Sequence, residues 1–119
     1  MKKFLAIFTC AENSKNHNAW NMLDQETQKE RMHKGTAALE QWTQKYKDQI
    51  VIESTSLSKT TKKTDTLGIH DTPSLMGAFV VVKASSHDEA AKMFINHPHF
   101  AFFPGDAVEI LEYIDTPKG

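Results

Sequence analysis

The sequence predicts an α+β domain, a β-α-β-β-α-β chain folded as a split βαβ unit with a four-stranded antiparallel sheet and two helices on one face. Three observations carry this expectation. Short apolar runs alternate with stretches of helical periodicity in that order, and a capping-box motif opens the second helix. The right-handedness of both crossovers then places the two helices on the same side of the sheet.

The first strand is Phe4-Leu5-Ala6-Ile7-Phe8-Thr9, a short run of aromatic and branched residues that suits a central position. A polar stretch from Glu12 to Asn18 interrupts the pattern, and Trp20, Met22 and Leu23 begin a segment of weak helical character with open ends. From about Gln25 to Lys47 the residues are good helix formers, with Met32, Leu39, Trp42 and Tyr46 recurring at three-, four- and seven-residue spacings. Gly35 lies inside this amphipathic helix, where it costs up to about 1 kcal/mol relative to alanine. It therefore marks either a close approach or a join between two helices.

Ile50-Val51-Ile52 opens a second strand that continues towards Leu57. Ser58 to Thr66 is polar, contains Lys59, Lys62 and Lys63, and reads as a solvated loop or a long hairpin. After Pro73, the run Gly77 to Val82 forms the third strand. Ser86-His87-Asp88-Glu89 has capping-box spacing, so that Ser86 bonds the amide three residues on and the acidic residues suit the positive end of the helix dipole. The expected apolar stripe of this helix is Ala90, Ala91, Phe94 and Ile95. Pro98 ends it by driving His97 out of the α region, and Val108 to Ile114 supplies the last strand. The resulting order is that of a ferredoxin-like fold.

Helices on one face leave the other bare, yet the first and third strands are apolar on both. Phe4, Ala6 and Phe8 oppose Leu5 and Ile7, while Phe79 and Val81 oppose Ala78, Val80 and Val82. The same sheet from a second copy is the expected cover, which makes the protein a homodimer packed sheet on sheet.

Composition limits the function. A chain of 119 residues fits one domain, taken here as 1–119. Its 14 basic and 15 acidic residues nearly cancel, which removes the positive field that nucleic acid or an anionic membrane surface requires. The apolar runs Phe4 to Phe8 and Ala78 to Val82 are too short to span a bilayer, and Lys2-Lys3 is followed by no signal-peptide h-region. An unprocessed cytoplasmic protein is expected. Cys10 is the single cysteine, so neither an internal disulfide nor a thiolate metal cluster can form, and it reads as a small residue buried at a strand end.

A set of spaced residues gives a more specific lead. It comprises Gly35, Trp42, Asp48, Ile50-Val51, Gly77, His97-Pro98-His99-Phe100, Pro104-Gly105 and Val108-Glu109-Ile110-Leu111-Glu112. In these the chain resembles the YCII-related family, in particular a branch with the His-Pro-His and Val/Ile-Glu-x-Leu-Glu pattern. The resemblance implies a dimeric α+β barrel. It also implies a range of activities, including lactone isomerisation, dehalogenation and cofactor-free oxidation of aromatic compounds. Two departures stand out. Glu53-Ser54-Thr55-Ser56-Leu57-Ser58 replaces the glycines and proline usual in that branch after the second strand begins. The first-helix histidine that works with an aspartate in catalytic members falls near Ala37 or Ala38, and His33, about one helical turn earlier, is the candidate substitute.

His97 and His99 are the sharpest candidates for chemistry, because imidazole titrates near neutral pH and two of them could share acid and base roles. His97 is expected at a helix C-terminus, against free carbonyls, which makes His99 the more functional of the two. Glu109 and Glu112 are three apart and so face opposite ways on the last strand; Glu109, nearer the histidines, is the expected orienting carboxylate. Proline between the histidines splays them, and His33, His70-Asp71, Asp106 and Glu109 stand at no metal-ligand spacing, so neither metal nor organic cofactor is expected. His70-Asp71 is placed in a turn before Pro73, and Trp42, Tyr46 and Phe79 in the core or an interface.

Two classes of function fit these residues. One is a cofactor-independent small-molecule enzyme, of isomerase, lyase or hydrolase type, using histidine and carboxylate proton transfer in a cleft of the homodimer. The other is a non-catalytic module for small-ligand binding or dimeric interaction.

Overall fold

The computed structural model describes residues 1–114. Strand β1 (Lys2–Thr9) leads through α1 (Lys15–Asn21) and α2 (Gln25–Lys45) to β2 (Ile50–Ser56). A hairpin of β3 (Thr60–Asp65) and β4 (Gly68–Pro73) follows, then β5 (Met76–Ala84), α3 (His87–Lys92), α4 (Pro98–Ala101) and β6 (Ala107–Glu112). The main sheet has the order β2-β5-β1-β6, with every neighbouring pair antiparallel. That order is ferredoxin-like, with β1 and β5 central as their apolar runs require.

Both long crossovers pack on one face. Phe4, Ala6 and Phe8 of β1 and Val80 and Val82 of β5 form a buried core with Trp42 of α2 and with Ala90, Met93 and Phe94 at and just after α3. The Trp42 indole N–H donates to the Met93 carbonyl at 2.9 Å, joining the helical layers. Asp24 caps α2 by accepting from the Thr27 amide at 2.7 Å, and Ser86 caps α3 by accepting from the Glu89 amide at 3.1 Å, as the capping-box spacing requires. Gly35 is a close approach within one continuous helix: a Cβ there would lie 2.6 Å from the Phe103 ring and 2.8 Å from Phe102 Cβ.

The opposite face carries two cross-strand rows. Ile52, Val81, Leu5 and Leu111 form one, and Thr55, Phe79, Ile7 and Glu109 the other. Ile52 and Leu111, at the two ends of the first row, are 46% and 48% exposed, while Val81 between them is buried. No helix among the described residues is long and apolar enough to cross a membrane.

Three local expectations are corrected. The apolar stripe of α3 is Ala90, Met93 and Phe94, because the helix ends at Lys92 and the following turn swings Ile95 out to 68% exposure. Pro98 does not merely close α3: it is the first residue of α4, where its missing amide costs nothing. His70 and Asp71 lie on β4 rather than in a turn, with Asp71 paired to Lys62 at 2.7 Å and His70 3.3 Å from Asp65. The tight turn is instead at Gly68, whose φ of +118° favours glycine. The bonds Leu57 N–H to Gly77 carbonyl and Ser74 N–H to Lys59 carbonyl continue the β2-β5 ladder into β3-β4, so the segment from β2 to β5 is one long hairpin.

Candidate functional site

The site grows from the turn between α3 and α4. Asn96 adopts a left-handed φ of 58°, and His97 follows with extended backbone that caps α4. Its Nδ1 accepts the His99 backbone N–H at 3.0 Å. An atom that accepts cannot carry the proton, so the neutral ring is protonated on Nε2. That Nε2 is buried and has no hydrogen-bond partner among the described residues. The ring itself is 3% exposed, packed against Phe8, Trp42 and Phe94 with centroids 4.9, 4.8 and 5.7 Å away. Burial, reinforced by neighbouring His99, pulls its pKa down to about 4. The expected contact with helix C-terminal carbonyls is therefore corrected: His97 is a neutral acceptor at a helix N-terminus, where a cation would be disfavoured.

His99 has the complementary arrangement. Its Nε2 lies 3.2 Å from the Thr9 carbonyl, which can only accept, so Nε2 carries the proton and Nδ1 is left as an acceptor. Burial lowers its pKa, offset in part by the Thr9 and Ala107 carbonyls close to the ring and by the charge of Asp106. Gly105 packs so closely behind the ring that any Cβ there would collide with it.

Asp106 organises the rear of the site. It accepts from the Ala11 amide at 2.7 Å and the Ser14 hydroxyl at 2.9 Å, and its own amide donates to the Thr9 carbonyl at 2.9 Å. The Ala11 bond above all, with those to Ser14 and Asn16, holds its carboxyl below the usual range. Asp106 thus ties the end of β1 to the loop before β6, and fixes the carbonyl that orients His99.

In front of the two histidines lies a cavity of about 300 Å³. Phe8, Leu39, Ala78, Phe103 and Pro104 supply its apolar wall. Ser54, Thr55 and Ser56 line it from β2, where two register shifts break the pairing with β5. Cys10 also lines it, but burial, followed by the Asp106 charge, pushes the thiol pKa up and away from a reactive thiolate.

Of the residues singled out in the sequence, His97 and His99 meet at this cavity. Glu109 does not: it is exposed and pairs with Ile7, on the sheet face opposite Phe8. His33 is exposed on α2 and is not part of the cavity wall. The carboxylate whose charge reaches His99 is Asp106, considered in the sequence only as a metal-ligand candidate. The serines of β2 were visible only as a departure from a family pattern. Among the described residues, no group of three or more His, Cys, Asp or Glu converges as a metal site.

No protein-family model matches the chain, and no curated protein matches it. Among solved structures it is similar to 5-chloro-2-hydroxyhydroquinone dehydrochlorinase from Burkholderia phenoliruptrix AC1100, in complex with 2,5-dihydroxybenzoquinone. The TM-score is 0.56 at 16% identity, over 96% of this chain and 95% of that one. At this identity the likeness defines the class, a ferredoxin-like α+β fold. It agrees at the level of fold with the resemblance to YCII-like proteins.

Proposed function

We propose that the protein binds a small organic molecule in the cavity before His97 and His99, and that His99 moves a proton there without an organic cofactor. One observation carries the reading: a buried histidine with an unpartnered Nε2–H and a second histidine with an acceptor Nδ1 line the same apolar cavity. Apolar walls with a few convergent polar groups and shifted titrations are the usual marks of a small-molecule site. In this arrangement His99 is the general base and His97 positions it, because the His97 ring fixes the His99 amide. The reaction is then an isomerisation, elimination or hydrolysis that starts from an acidic C–H or O–H. The neighbouring structure is itself a dehydrochlorinase, which supports this class at the coarse level of a small-molecule enzyme.

The site belongs to a homodimer in this reading, since the helices cover one face of the sheet and leave Ile52 and Leu111 exposed on the other. A cytoplasmic location remains the one proposed.

Thermal unfolding against a metabolite library tests the function, because a ligand of the folded state raises stability by mass action. A hit that His99→Gln abolishes, with its own melting temperature near the parent's, supports the proposal. Turnover of that hit identifies an enzyme, while binding without turnover identifies the non-catalytic binding module. A hit that binds His99→Gln as it binds the parent removes His99 from the site.

A further inference from the structure

Resting on the reading of the cavity as a ligand site, we infer that it selects uncharged, ring-sized organic molecules bearing a hydroxyl, and discriminates against carboxylates and phosphates of similar size. The wall supplies the first reason. Among the described residues, no lysine, arginine, aspartate or glutamate lines the cavity. An anion entering it gives up its hydration and finds no countercharge. The lysines of the long hairpin do not help, since none lines the cavity and Lys62 is engaged by Asp71 at 2.7 Å. The charge that acts on His99 is the negative one of Asp106, which opposes a second anion.

The hydrogen-bond pattern of the histidines supplies the second reason. His97 cannot become a cation without breaking its bond, because Nδ1 already faces the N–H of His99. His99 can, at Nδ1, but only by taking a proton. A hydroxylated ligand brings that proton: the ligand O–H bond breaks, an N–H bond forms at Nδ1, and an oxyanion is left beside the new imidazolium. A carboxylate arrives already deprotonated and offers nothing to the acceptor.

The third reason is a coincidence of unsatisfied groups. Among the described residues, Ser54 Oγ and His97 Nε2 are the buried side-chain polar atoms without a partner, and both residues line this cavity, with Ser54 also bordering a groove along α2. A ligand oxygen can satisfy such groups and a hydrocarbon cannot. The small volume, about 300 Å³, restricts the occupant to molecules of about one or two rings.

The test titrates the intact protein near pH 7 with phenol, benzoate and toluene while following the histidine ring signals by NMR. Phenol and benzoate share a ring and differ in charge; toluene has the ring without oxygen. Phenol is expected to shift the His99 signals and to bind at least about tenfold more tightly than benzoate, the difference set by desolvating the charge. Ser54→Ala is expected to weaken phenol several-fold and leave toluene unchanged. Benzoate binding as tightly as phenol at the same signals would overturn the ligand class and leave the cleft itself standing. If no probe moves either histidine at millimolar concentration, the cleft is not a ligand site, and the proposed function falls with the class.

Discussion

The Nδ1 of His97 accepts a hydrogen bond from the backbone N–H of His99, 3.0 Å away, so one histidine sets both the conformation of the other and its own tautomer. A short helix beginning at Pro98 makes this possible, because the caps of a helix N-terminus are acceptors. The same contact keeps the His97 proton on a buried Nε2.

A pH dependence of stability follows. The folded protein holds His97 at about 4, whereas the unfolded chain titrates near the ordinary 6.5, so between these values the unfolded chain binds more protons. Stability from this group is full above about pH 6.5, falls as the pH drops towards 4, and then levels off. The total is at most roughly 3 kcal/mol. His97→Asn keeps a capping acceptor but loses ring packing and the titration. It is expected to be about 1 to 3 kcal/mol less stable than the parent at pH 8, with the gap narrowing towards pH 4. Urea unfolding across that range measures it, and a constant gap would show that His97 does not carry the titration.

Gly105→Ala is expected to displace the His99 ring, because any Cβ at that position collides with it. The cost in stability is about 1 to 3 kcal/mol, as for overpacking generally. The response to a cavity ligand should weaken more than melting temperature alone explains. Thermal unfolding with and without the ligand separates the two effects, and unaltered binding would place the ligand away from His99.

Gly35→Ala gains up to about 1 kcal/mol of helix propensity. It also forces a methyl to within 2.6 Å of the Phe103 ring. Because Phe103 is itself part of the cavity wall, the strain should reach the site. A net loss of about 1 to 2 kcal/mol in chemical denaturation is expected. A stabilised variant would mean that Phe102 and Phe103 give way freely.

Light scattering at micromolar concentration should report twice the chain mass. Leu111→Lys places a charge in the outward row beside Leu5, and is expected to give a monomer that keeps its fold. A parent that is already monomeric would remove the homodimer from the account.

How far this protein was legible depended on the distance between interacting residues. The short apolar runs of β1 and β5, the Ser86 cap and the interruption at Gly35 are local signals, and each led to the right element. The helix at Pro98 spans only four residues, too few for periodicity to reveal it, so His97 was assigned to the wrong helix end. Asp106 meets Ala11 and Ser14 at separations of 95 and 92 residues, and no spacing rule reaches that far. Glu109 is near the histidines in sequence, but its pairing with Ile7 turns it away from the cavity. The role of Ser54 depends on broken register in β2, which strand alternation cannot anticipate.

Whether His97 and His99 form a fixed donor and acceptor pair is measured by nitrogen-15 NMR of the histidine rings between pH 4.5 and 8. Near pH 6, His97 should be neutral with its proton on Nε2 and no titration at its ordinary value, and neutral His99 should also be protonated on Nε2. A His97 that titrates near 6.5, or a neutral His99 with its proton on Nδ1, would contradict it.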